Sequence, residues 1–254
     1  MSGKEIVRKR IIVYPSELVY LLYNAFKNIP SFKIKPVRTV FLRQVYFCGI
    51  ETFGKMVFIG LFAGIVIITQ ITNLTGLGSG VLTGKILIWV IVRELGPLFA
   101  AIIIIARSGT AISAELSAMN VNREIENIEM MGIDAEKYLI MPRVFALSLS
   151  AVMLTFYFEF AALFGGITAT SVFWDIPFEQ YTTGMLSSLT ITELIASLVK
   201  SILFGFGIAS VSCVNGLAVS ESITQIPQAI TRATIHSLLI IFILDVIITV
   251  VFFI

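Results

Sequence analysis

Apolar positions fall in five long runs along this chain, at roughly 45–71, 81–106, 143–170, 191–214 and 234–254. Each run is close to or longer than the roughly 20 residues a helix needs to cross bilayer hydrocarbon. With no water there to bond the backbone, such runs fold as spanning helices. The pattern before the first run is different. Ser16 follows Pro15 as a candidate N-cap, and Glu17 suits a first helical turn. Leu18, Leu21, Leu22, Ala25 and Phe26 then recur at helical spacing up to Pro30. This stretch is too short to span and reads as an amphipathic helix on the membrane surface, packing against the protein itself being the alternative. Between the second and third runs, Ile125, Ile128 and Met131 or Gly132 share one helical stripe, Glu124, Glu126 and Glu129 lie off it, and Gly132 suits a helix stop. The pattern predicts an all-α integral membrane protein: an N-terminal amphipathic interfacial helix, five transmembrane helices, and a short cytoplasmic helix between the second and third. Residues 1–43 form a basic cytoplasmic or interfacial segment and 44–254 the membrane domain.

Composition supports this division. Of 254 residues, 57% are hydrophobic and 13% charged, with mean hydropathy +0.96, whereas soluble domains run near roughly 25% charged. The net charge of +2 is too small to point to nucleic acid; its distribution matters more. Residues 1–43 hold nine of the 18 Lys and Arg against two acids, Glu5 and Glu17, which places the N-terminus in the cytoplasm. Five crossings then put the C-terminus on the far side. The connections agree: 71–80 carries no charge, and 171–190 carries Asp175 and Glu179 but no cation. Arg107, Arg123, Lys137 and Arg143 belong to the 107–142 connection and its end, and Arg232 to 215–233. Pro15 and Glu17 interrupt the apolar run a signal peptide would need after the basic Met1–Arg10 stretch.

Several chemistries are excluded. Gly76 to Lys85 looks faintly like a phosphate loop, but Ser79 stands where the first glycine belongs and Ile86 replaces the Ser or Thr, so ATP is not bound by that motif. One histidine, His236, and two separated cysteines, Cys48 and Cys213, give neither a metal site nor a disulfide framework; the cysteines read as small buried thiols. No catalytic constellation is visible. Small residues recur every fourth position at Gly60/Gly64, at Ala106/Thr110/Ala114/Ala118 and at Ser197/Ser201/Gly205/Ala209, and such ladders let helices approach closely in lipid.

Charges inside the apolar runs are the candidate chemistry. Arg93 and Glu94 sit mid-run just before Gly96-Pro97, Lys200 lies in the fourth run, Asp245 in the fifth and Glu159 in the third. Each must face protein or water to be tolerated. Adjacent residues point about 100° apart on a helix, so Arg93 and Glu94 need not pair with each other. Pro97 frees a backbone carbonyl one turn earlier, near Arg93, and kinks the helix. A polar kinked site at mid-membrane fits a substrate path; structural ion pairs within the bundle are the alternative.

Taken together, Arg93-Glu94-Leu95-Gly96-Pro97-Leu98, Ala106-Arg107-Ser108-Gly109-Thr110-Ala111, Ala114-Glu115, Ile128 to Asp134 and Pro142-Arg143 resemble the MlaE (YrbE) permease family. Ser220 to Ile223, Ala229 to Ala233, His236-Ser237 and Leu244-Asp245 extend the likeness, which covers roughly residues 40–254. The resemblance implies a dimeric ABC-transporter permease that moves phospholipid or similar hydrophobic molecules between the bacterial inner membrane and the cell envelope, a plastid inner envelope being the alternative setting. It implies a C-terminus in the periplasm. It implies a homodimer, a cytoplasmic ABC ATPase that carries the ATP and magnesium, an MCE-domain protein on the far side, and no cofactor or enzymatic activity in this chain. By the same likeness Glu126, Glu129, Met130, Met131, Gly132 and Asp134 belong to the helix that couples to the ATPase. Arg93 and Glu94, with Gln70 and Lys200, would lie on the lipid path lined by the first, second and fifth spans. A secondary transporter would show inverted repeats, which are not evident, and a non-transporting scaffold would not need a mid-span Arg-Glu pair.

Overall fold

The computed structural model describes residues 15–75, 80–173, 178–219 and 222–253, and every regular element among them is helical. Helix α1 is Pro15–Lys27, followed by a 3-10 turn at Ile29–Lys33. Helix α2, Lys35–Cys48, meets α3, Phe53–Thr75, through a tight turn at Ile50–Thr52. Helix α4 runs over Gly80–Val121, α5 is Glu124–Met130, and α6 is Met141–Phe173, entered by a π turn at Glu136–Ile140. Helix α7 is Phe178–Ser188, α8 is Ile191–Leu217 and α9 is Ile226–Phe253. Among the described residues five helical stretches are long and apolar enough to cross a membrane: Lys35–Leu74, Gly80–Val121, Glu136–Val172, Ile191–Leu217 and Ile223–Phe252.

Helix α6 is the central post, buried along most of its length. The small-residue positions explain how its neighbours reach it. A Cβ at Gly60 would sit 2.8 Å from the Ala161 Cβ, and one at Gly64 would collide with the Ala162 carbonyl, so this GxxxG pair seats α3 on α6 within the chain. On α8, Ser197, Ser201, Gly205 and Ala209 are all buried, and a Cβ at Gly205 would strike the Ser148 backbone of α6. The third ladder, Ala106 to Ala118, is only partly covered; α4 packs instead through Ile112, Ser113, Leu116 and Ser117.

The helices run further than their apolar cores. With 33 residues, α6 is about 50 Å long at 1.5 Å per residue, well beyond roughly 30 Å of hydrocarbon. The connection expected across 107–142 shrinks to 122–135, and that expected across 215–233 to 218–225. Protein contacts stand in for lipid here. Ser117 Oγ donates to Gly216 O (3.2 Å), and Asn120 Nδ2 donates to Leu217 O (2.9 Å) and Val219 O (2.8 Å), tying the end of α4 to the end of α8.

The 171–190 connection contains a helix of its own. Helix α7 lies against the start of α4, where Gly84 would bring a Cβ within 2.5 Å of the Tyr181 carbonyl. Tyr181 is fully buried, its hydroxyl beside Gly166 of α6. Residues 76–79, the first part of the glycine-rich motif, and Asp175 lie outside the described residues, as do Ser220, Glu221 and residues 1–14.

Helix α1 has two faces. Glu17 and Ala25 are buried against the bundle, and Phe26 meets Phe145 (centroids 5.3 Å) and Phe206 (5.2 Å), whereas Val19, Tyr20 and Tyr23 are exposed. The helix thus packs on the protein while presenting an apolar outer face. Both cysteines are buried and free.

Candidate functional site

The mid-membrane charges converge on one lysine. Pro97 has no amide hydrogen, so the carbonyl four residues earlier, that of Arg93, has no helical donor. The helix answers with a π-helical stretch over Trp89–Leu95, in which the Gly96 amide bonds Ile91 O. Lys200 of α8 takes the vacant place: its Nζ donates to Arg93 O at 3.1 Å. The same Nζ donates to Glu94 Oε2 at 2.7 Å and holds Asp245 Oδ1 of α9 at 2.8 Å. The Asp245 contact is an ion pair by distance without hydrogen-bond alignment, since Oδ1 counts no hydrogen bond. Glu94 Oε1 in turn accepts from Thr249 Oγ1 at 3.3 Å and lies 3.4 Å from Arg93 Nε. Two cations and two carboxylates from α4, α8 and α9 thus form a charge-balanced group.

The burial is graded. The Lys200 side chain is 0% exposed, Asp245 15%, Arg93 27% and Glu94 31%. A lysine so placed is tolerated only because its charge is met on more than one side. Neighbours on the helix that need not pair, Arg93 and Glu94 do meet, at 3.4 Å. In the wider π turn, the Glu94 carboxylate lies between the two cations, Oε1 toward Arg93 and Oε2 toward Lys200. Gln70 is exposed on α3 and takes no part in these contacts. Asp245 and Thr249 complete the group without having been assigned to it; the signal was a carboxylate in an apolar run with a hydroxyl one turn later on the same face. Close by, Gly96 leaves room for Glu159, whose Cγ and Oε1 a Cβ would meet at 2.8 Å, and Ser197 Oγ donates to Glu159 Oε1 at 2.6 Å.

A second set of contacts ties the helix ends. Arg107 pairs with Glu51 at 2.7 Å, donates to Thr52 and lies 4.6 Å over the Phe47 ring, fastening the α2–α3 turn to α4. Buried Arg143 pairs with Glu115 at 2.7 Å, joining α6 to α4.

Helix α5 is bounded by two left-handed residues, Arg123 (φ 58°) before it and Gly132 (φ 79°) after it. Ile133 N bonds Ile128 O (3.2 Å) and Gly132 N bonds Glu129 O (2.9 Å), the paired bonds of a glycine-terminated helix. At the end of the helix, Met130 and Met131 are 78% and 69% exposed, and Ile133 after them is also exposed. Glu126 and Glu129 line a cleft of about 170 Å³ between α5 and α1, floored by the ends of α4, α6 and α8. Asp134 lies just ahead of the next helical turn: its Oδ1 accepts from Glu136 N (3.1 Å), and Oδ2 pairs with Lys137 at 3.0 Å. Partial burial raises the Asp134 carboxyl, but the Lys137 bond and charge and the amides of 136 and 137 outweigh it and hold the group below its ordinary value.

Comparison with known proteins agrees with this architecture. The family model described as Permease MlaE matches residues 41–251. A probable ABC transporter permease protein from Rickettsia prowazekii is 27% identical over 98% of this chain and 96% of its own. The intermembrane phospholipid transport system permease protein MlaE of Haemophilus influenzae is 25% identical over 92% of this chain and 90% of its own. The chloroplastic protein Trigalactosyldiacylglycerol 1 of Arabidopsis thaliana is 27% identical over 84% of this chain and 61% of its own. With five membrane-length helices and a family match along nearly all of them, the chain is an integral membrane transport permease and belongs to the MlaE permease family.

Proposed function

We propose that this chain is the permease half of a dimeric ABC transporter of the bacterial inner membrane that moves phospholipids, or amphiphiles of similar build, between that membrane and the cell envelope. The observation that carries the reading is the charge-balanced group of Arg93, Glu94, Lys200 and Asp245 within the apolar bundle. A scaffold has no use for four ionisable groups at that depth. A lipid carrier does: apolar walls take acyl chains while a few polar groups meet the headgroup. Lys200 is sealed inside the chain, so it serves the path by positioning Glu94, and the partly exposed Arg93 and Glu94 are the groups that meet lipid. Gln70, exposed on the first span, is a candidate for the same path.

ATP hydrolysis belongs to a separate cytoplasmic subunit in this reading. Helix α5 and its Met130-Met131-Gly132-Ile133 tip form the element that seats in a groove of that ATPase, apolar methionines supplying the anchor and Glu129 flanking it. An MCE-domain protein takes the lipid on the far side, and the N-terminus is cytoplasmic. The partly covered Ala106 to Ala118 ladder is the candidate face for the second permease.

The test is to purify the chain gently with its partners, identify them by mass spectrometry, and measure ATP-dependent lipid transfer in proteoliposomes. Co-purified ATPase, MCE protein and phospholipid are expected, and Glu94→Ala should reduce transfer more than assembly. A chain without ATPase even after cross-linking would overturn the transporter reading, and unchanged transfer by Glu94→Ala would return the charged group to a structural role.

A further inference from the structure

The surface made by α1, the turn after it and α2 carries positive charge that no acid among the described residues answers. Lys27, Lys33, Lys35, Arg38, Arg43 and Lys55 are all exposed, and none forms an ion pair among the described residues. Residues 15–55 contain only two acids: Glu17, which is buried, and Glu51, which pairs with Arg107. Elsewhere at this end of the bundle, Lys137 pairs with Asp134 and Arg143 with Glu115.

The depth of these cations follows from the chain. Met56 to Thr75 carries no charge and, at 1.5 Å per residue, is about 30 Å long, the thickness of bilayer hydrocarbon. The first crossing is therefore complete at Lys55, and the charges before it stand at the level of the headgroups. Helix α2 presents a mixed stripe there. Its buried residues are Val37 and Cys48. On the opposite side, at about 100° per residue, Lys35, Leu42 and Tyr46 share one face, with Arg38 and Arg43 at its two edges. Leu42 and Tyr46 are exposed, and the apolar row goes on through exposed Ile50 and Phe53 to exposed Phe58 and Phe62 of the first crossing. The stripe is thus continuous with the outer face of a membrane-spanning helix. Apolar groups set between cations match a lipid interface, where rings and alkyl groups lie among acyl chains while cations reach out to phosphate.

We propose that the α1–α2 surface binds anionic phospholipid of the leaflet on the α5 side, Lys33, Lys35, Arg38 and Arg43 holding the headgroup charge and Leu42 and Tyr46 lying against the upper methylenes of the chains. The site reads net headgroup charge, because in a zwitterionic lipid the headgroup ammonium offsets the phosphate that the cations attract. Each cation near an anionic surface is worth about fivefold in lipid occupancy. The inference concerns this surface alone and holds whether or not the chain moves lipid.

The test uses the full chain with Cys48→Ala and Cys213→Ala, labelled with a fluorophore at Leu42→Cys and reconstituted in phosphatidylcholine vesicles. A minor fraction of brominated phosphatidylglycerol or brominated phosphatidylcholine serves as quencher. Half-quenching by the anionic lipid is expected at about fivefold lower fraction, or less, than by the zwitterionic one. The preference should fall below about twofold when Lys33→Gln, Lys35→Gln, Arg38→Gln and Arg43→Gln are combined, and likewise in about 0.5 M salt, which screens exposed charge. The same fluorophore at Leu74→Cys, exposed at the other end of α3, should show no such preference. Equal quenching by both lipids at Leu42, a preference that survives the four Gln changes, or an equal preference at Leu74 overturns the proposal. A Leu42 label shielded from both lipids when the chain is purified with its partners would assign the surface to a protein, and overturns it too. If the labelled chain does not fold, native mass spectrometry of the unlabelled parent decides. Phosphatidylglycerol adducts should exceed phosphatidylcholine adducts about fivefold in the parent and not in the four-Gln variant, and equal adducts in the parent refute the site.

Discussion

Replacing Lys200 with methionine keeps much of the side-chain volume and removes only the charge. Three groups then lose their partner: the Arg93 carbonyl freed by Pro97, Glu94 Oε2 and Asp245 Oδ1. Breaking a buried pair from one side costs about 3–5 kcal/mol. Glu94 keeps Arg93 and Thr249 and is 31% exposed, so the loss falls mainly on Asp245 and the carbonyl, and the lower end applies. We expect Lys200→Met to destabilise the bundle by about 3 kcal/mol, somewhat over a hundredfold in the unfolding constant. Neutralising one carboxylate along with the lysine, Lys200→Met with Asp245→Asn, should bring stability back to within about 1 kcal/mol of the parent, because Arg93 and Glu94 then balance each other. Equilibrium unfolding in mixed detergent micelles, followed by circular dichroism, measures both. A loss under about 1 kcal/mol for the single change, or a double variant as unstable as the single one, would refute the assignment of the charge balance to Lys200.

The α3–α6 contact gives a packing prediction: Gly64→Val should lower stability by about 3 kcal/mol or more, because the Ala162 carbonyl is backbone and cannot give way; a thermal melt within a few degrees of the parent would contradict it. At the α5 tip, Met130→Asp with Met131→Asp should weaken ATPase capture about tenfold or more, whereas Glu129→Lys, which faces the cleft, should weaken it less; the reverse order in a pull-down would move the docking face to the acidic side. Asp134→Asn should cost a few tenths of a kcal/mol at neutral pH, as befits a largely exposed pair. The folded carboxyl sits below its ordinary 3.8, so its contribution is present above that value and disappears as pH falls through the lowered one; the gap between parent and variant melting temperatures should therefore close in acid.

Much of this molecule was determined by its sequence alone. Five apolar runs of spanning length admit only helices in lipid, which decided the fold class before any contact was known. Gly132 stops α5 because a positive φ is needed there, a local requirement that composition reveals. Pro97 announced a free carbonyl near Arg93, since that consequence follows from the proline ring and needs no neighbours. What fills that carbonyl was decided only in three dimensions. Lys200 comes from a helix 107 residues further on and Asp245 from another, and no periodicity within one helix ranks one distant partner over another. The same holds for α7. Its Thr-, Ser- and Gly-containing sequence has weak helical preference, and it becomes a helix because Tyr181 enters the space that Gly166 leaves and Gly84 lets its backbone approach. Glu126 and Glu129 likewise lie off the apolar stripe in sequence, yet they line a cleft because α1 closes over them from about 110 residues away (17 against 126 to 129). Local chain chemistry sets which elements form and where they stop, whereas burial, charge pairing and helix approach depend on which distant surfaces meet.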